Sequence, residues 1–156
     1  EQIKQTSLEL SFVAGQWLWK GESLYRSGQG NGDYFAWTGG FEYTLARIWN
    51  SQMDLGLIGE WMFDTRGDNA NTPFENDLAG GLRLSLNDAA STEALFSWTQ
   101  DINSQARYLF LETRRRLGER LLLTTEFRAF INQPSEDFLF EQRADEIMSI
   151  ELAYYF

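Results

Sequence analysis

Cysteine and histidine are both missing from this sequence, proline and lysine occur only twice each, and no long apolar run is present. The lack of cysteine rules out thiol chemistry and a disulfide scaffold, and it fits an oxidising envelope compartment. Without histidine the usual general base of Ser-His and Asp-His catalysis is gone. No Gly-rich phosphate loop, metal-spaced Cys/His set or nucleophile motif stands in its place. The expectation is a protein that is not an enzyme, with no cofactor and no metal site. A spanning helix needs roughly 18 consecutive apolar residues, so a helical membrane protein is excluded. With scarce proline and no Ser-rich or charged run, nothing reads as a linker, and residues 1–156 are taken as a single unit. The net charge of -10 excludes nucleic acid as a partner, since phosphate binding relies on clustered cations. The N-terminus carries no charged and apolar leader, so a mature form or a portion of a longer protein is expected.

Aromatic residues, by contrast, make up 15% of the chain, and eleven of its thirteen basic residues are arginine. Arginine is preferred where a cation is held in a partly buried ion-pair network. The dominant pattern is period two, the mark of strands with one apolar and one polar face, and nine such runs can be counted. Leu8, Leu10 and Phe12 return through a tight Ala14-Gly15 turn to Trp17 and Trp19, predicting that Phe12 faces Trp17 and Leu10 faces Trp19. Pairing Leu45 with Leu55 sets Trp61 against Gly39 and Phe41 against Gly59, and rings covering glycines stabilise a sheet. Leu78 to Leu86 return through residues 87–92, with Leu84 expected opposite Phe96. Tyr108 to Leu111 is apolar on both faces. Leu109, Leu111 and Thr113 are assigned to the apolar side and continue past Gly118 to Leu121, Leu123, Thr125, Phe127 and Ala129. Met148, Ile150, Leu152, Tyr154 and Phe156 form the last run.

Turns near 14–15, 46–52, 87–92 and 118–120 are short. Those near 27–33, 65–76 and 133–144 are longer and polar, with 102–105 a short exception. Alternation alone leaves open whether the apolar face looks into a core, as in a soluble calycin-like ligand binder, or out into lipid. A polar face of small residues, Arg and Glu, aromatic residues towards strand ends, and the terminal strand favour lipid.

That terminal strand, Ile150-Glu151-Leu152-Ala153-Tyr154-Tyr155-Phe156, resembles the closing strand of Gram-negative outer-membrane β-barrel proteins. The resemblance implies an all-β, antiparallel transmembrane barrel in the outer membrane. Leu152, Tyr154 and Phe156 would be the signal read by the barrel assembly machinery, and outer-membrane lipids and lipopolysaccharide would surround the wall. Single-chain bacterial barrels have even strand numbers, whereas nine runs with a periplasmic Phe156 put Glu1 outside the cell. The chain is therefore expected to be the C-terminal part of a larger barrel, the other strands coming from further sequence or another chain. The alternative is that one run does not span, leaving a complete eight-stranded barrel.

The candidate lumen lining is Glu9, Lys20, Glu22, Glu42, Asp54, Glu60, Arg83, Glu112, Arg114, Glu126, Arg128 and Glu151. These charges either line a pore for solute passage or polymer export, with the acidic excess favouring cations, or neutralise one another as the plug of a structural or assembly barrel. Two acidic loops, with Asp64, Asp68, Glu75 and Asp77 in one and Glu136, Asp137, Glu141 and Asp145 in the other, are read as solvated. Divalent-cation binding is the weaker option, because Asp64 to Asn69 lacks a full calcium-loop pattern.

Overall fold

The computed structural model describes residues 2–28, 32–135, 137 and 139–156; Glu1, residues 29–31 of the 27–33 loop, and Glu136 lie outside them. All nine runs form strands: β1 (Lys4–Ala14), β2 (Trp17–Ser27), β3 (Tyr34–Leu45), β4 (Asp54–Asp64), β5 (Asn76–Ser85), β6 (Glu93–Asp101), β7 (Arg107–Leu117), β8 (Leu121–Ile131) and β9 (Ile147–Tyr154). They pair as one antiparallel meander in sequence order. The sheet is open, since β1 and β9 each keep one edge that no described strand pairs. No run is left over for the eight-stranded alternative. Among the described residues no helix is long and apolar enough to cross a membrane.

The β3–β4 register matches expectation, with Gly39 opposite Trp61, Phe41 opposite Gly59 and Leu45 opposite Leu55. The ring lying over Gly39 is nevertheless that of Trp37, which leans along its own strand. Two hairpins differ from the prediction by two residues. The first loop is Gly15-Gln16, so Phe12 faces Trp19 and Leu10 faces Gly21. Gly15 takes the positive φ (61°) that the first position of this two-residue loop demands. In the β5–β6 hairpin Leu82, not Leu84, faces Phe96. Its loop closes on itself when Asp88 accepts hydrogen bonds from the Thr92 amide (2.7 Å) and hydroxyl (2.8 Å). A slip of two preserves which face each side chain takes, so the division into faces stands. The ambiguous β7–β8 pair has the assigned faces, with Leu109 opposite Ala129 and Leu111 opposite Phe127.

One face is apolar across all nine strands and forms no enclosed core. Leu10 (63%), Leu82 (46%), Phe96 (41%) and Ile150 (67%) are exposed, and among the described residues no large side chain is fully buried. Its aromatic residues gather in two bands. Trp17 stacks near Trp19 (5.4 Å) and Tyr43 (4.5 Å) at the short-turn end, while Trp37 meets Trp61 edge-on (5.1 Å) nearer the other end. The hydrogen-bonding direction leads from Leu10 of β1 through Gly21, Gly39, Trp61, Leu78, Gln100 and Arg107 to Ile131, the last residue of β8. The paired position thus drifts one way, from mid-strand in β1 to the strand end in β7 and β8, which is the stagger of tilted strands in a curling sheet.

Candidate functional site

The other face carries the charge, and the register brings all twelve candidates onto it. Glu9 faces Glu22, Lys20 and Glu60 both face Gly40, Glu42 faces Ile58, and Asp54 faces Ser85. Arg83 lies opposite Leu95, Glu112 opposite Glu126, Arg114 opposite Thr124, Arg128 opposite Phe110, and Glu151 opposite Thr124. Two ion pairs join members of the set, Glu42 with Arg83, and Glu126 with Arg128 at 2.8 Å. Glu60 accepts a hydrogen bond from the Thr38 hydroxyl (2.9 Å), and Asp54 accepts from the Arg47 amide and the Asn87 side chain (both 2.9 Å). Among the described residues no ion pair engages Glu9, Lys20, Glu22, Glu112, Arg114 or Glu151. Charges are also sorted by strand, with carboxylates prevailing on β1 to β4 and Arg83, Arg114, Arg116 and Arg128 on β5, β7 and β8. Over the acidic sector lies a hollow of about 580 Å³, lined by Glu9, Glu22, Thr38, Glu60 and Met62 and reached by Phe74 from the 65–75 loop.

Both acidic loops depart from the solvated reading at the end where β4, β5 and β6 meet them. Asp64 is buried and receives a two-point hydrogen bond from Arg66 (2.9 and 2.6 Å), whose guanidinium lies 3.7 Å over the ring of buried Tyr34. Asp77 and Asp101 face each other across β5–β6 and are 3% and 6% exposed. The cause is apolar: Pro73, Phe74 and Leu139 fold back onto the polar face and line a small cavity with Asp77, Asp101, Gln133 and Asp137. Burial first, then neighbouring carboxylates, raise the Glu75 and Asp137 carboxyls above the ordinary range. Asp68, Glu141 and Asp145 remain exposed. Among the described residues no group of three or more His, Cys, Asp or Glu is arranged to hold a metal. Sequence reasoning missed Tyr34, Asp101 and Gln133; the signal was an apolar Pro73-Phe74 pair inside an acidic loop.

Of the terminal residues, Leu152 faces Leu123 and Tyr154 faces Leu121 on the apolar side. Tyr154 accepts from Arg120 (3.2 Å) and meets the Phe156 ring edge-on at 5.2 Å. The ladder stops at Tyr154, so Phe156 lies just past the strand it was expected to end, because β8 starts at Leu121 and beyond it only the Arg120 carbonyl reaches the Tyr155 amide. Comparison with protein-family models, curated proteins and solved structures finds no match.

Proposed function

We propose that this chain is part of the wall of a Gram-negative outer-membrane β-barrel, with its apolar face against lipid and its charged face lining a lumen that passes solutes or an exported polymer. The carrying observation is the apolar face itself, which runs across nine strands and which no element among the described residues encloses. Leaving a Leu, Phe or Met side chain in water instead of burying it costs about 1.5–3 kcal/mol. Over a whole face that is on the order of tens of kcal/mol, and hydrocarbon removes it. Strand lengths of 8–12 residues suit a bilayer crossing by tilted strands, and the two aromatic bands suit its two interfaces. In this reading the barrel assembly machinery recognises Leu152, Tyr154 and Phe156, and lipopolysaccharide meets the long loops.

The soluble ligand-binder alternative requires those rings to enclose a core, which is the opposite of their exposure. The plugged-barrel alternative requires the lumen charges to neutralise one another, yet eight of the twelve make no ion pair among the described residues. Transport here is diffusion through a charged passage. Eight carboxylates against four cations among the twelve give that passage a preference for cations. Planar-bilayer recording under a potassium chloride gradient tests this: the expected result is channel steps with a cation-selective reversal potential. A silent bilayer with the protein inserted favours the plug, and a protein that stays monodisperse without detergent overturns the membrane reading altogether.

A further inference from the structure

The long-loop end of the polar face is covered by two connections that converge over buried carboxylates. From the β4–β5 side come Asp68, Phe74 and Glu75, held by hydrogen bonds from the Asp64 amide to the Glu75 carbonyl (2.8 Å) and from Thr65 to Phe35 (2.9 Å). From the β8–β9 side come Gln133, Asp137 and Leu139, with the Gln133 amide donating to the Arg107 carbonyl (3.0 Å). Between them lie Asp77 and Asp101, facing each other on adjacent strands. Among the described residues the charged side chains turned into this space are carboxylates, Arg107 lining it while its guanidinium is held by Gln100. The adjacent cations are committed elsewhere, Arg107 to Gln100 (2.6 Å) and Arg66 to Asp64. Tyr108 lines the cavity as a neutral neighbour. Gln133 is 8% exposed, and its Oε1 atom has no hydrogen-bond partner. Asp101 accepts from the Asn103 amide (2.6 Å) and the Ser104 hydroxyl, Asp77 from the Asn76 amide (3.2 Å) and Asp137 from the Leu139 amide (2.6 Å). Gln133 Oε1 is thus the acceptor left over, and a proton on a neighbouring carboxyl both removes a repulsion and supplies a donor.

We propose that these two connections form a proton-controlled cap over the polar hollow, shut while the Glu75 and Asp137 carboxyls hold protons and released when they ionise. Carboxyls raised above their ordinary range in the closed state bind protons more tightly there than in the open one. Closure is therefore favoured as pH falls towards the ordinary carboxylate range, and it weakens as pH rises through the elevated values of Glu75 and Asp137. As a regulator of permeation this rests on the pore reading, but the movement itself can be read without current.

The absence of cysteine allows two spin labels to be placed cleanly, through Ser7→Cys and Thr72→Cys, both at the rim of the hollow. Pulsed dipolar spectroscopy on the full chain in detergent should give one short distance at about pH 5 and a population longer by on the order of 10 Å at about pH 8, a reach open to the 65–75 loop. Adding Glu75→Gln and Asp137→Asn should hold the short distance at both values. Identical distributions at the two pH values, or opening undiminished in the doubly neutralised variant, overturn the cap. Bilayer current with pH-invariant distances sinks the cap alone, whereas pH-dependent distances without current leave the cap standing and sink the pore.

Discussion

At Gly80 an added Cβ would sit 1.7 Å from the Trp98 ring, and at Gly59 2.8 Å from that of Phe41, whereas at Gly21 it would meet nothing within 4 Å. The first two glycines are seats for rings that lie flat across the neighbouring strand, and a methyl group there must lift an indole or phenyl off the sheet. Gly80→Ala should lower stability by about 1–3 kcal/mol, while Gly21→Ala should be nearly neutral. Thermal unfolding of the two variants in the same detergent checks this, and equal melting temperatures would refute the seating argument. A similar contrast of shape and charge governs Arg66. Its planar fork serves both Asp64 oxygens while its face covers Tyr34, a double task that lysine lacks the geometry to perform.

Among elements, the strands divide cleanly into two faces, and the two readings of the apolar face make opposite demands on a new charge. Leu82→Arg places a guanidinium at mid-strand on that face and should cost about 2–4 kcal/mol of folding into a bilayer. Ser97→Arg, one position along on the partner strand but on the opposite face, should be tolerated. Refolding yield into vesicles, followed by protease protection, distinguishes them; equal yields would contradict a lipid-facing surface. This division was legible from the sequence because period two needs only the identity of alternate residues. Register was legible where bulky rings had to meet glycines, as in β3–β4, and not where it hung on the number of loop residues. Residues 86–92 look like an ordinary polar turn, and the Asp88–Thr92 hydrogen bonds that fix their length involve side chains common in any loop. The cap was illegible for a different reason. Burial of Asp77 and Asp101 depends on apolar residues arriving from distant connections, and nothing local to an aspartate announces it.

For the whole molecule, direction matters more than sequence. Both β1 and β9 run from the long-loop end to the short-turn end, so joining them directly, or joining β9 to the β1 of a second copy inserted the same way up, would create a parallel pair. Antiparallel closure instead calls for an odd number of intervening strands. In the chain alone, the amides of β1 and β9 that do not bond to β2 and β8 should exchange with deuterium rapidly, becoming protected only when further strands are supplied. Protection in the chain alone would show that the edges already meet and would void the parity argument. The stagger carries a last consequence for traffic. In the proposed pore, leaning strands would wind the carboxylate and guanidinium sectors around the lumen as stripes on a barber's pole. A permeant moving straight along the axis of such a pore would leave one sector for the other, and a long charged polymer that stayed with one stripe would have to rotate as it advanced.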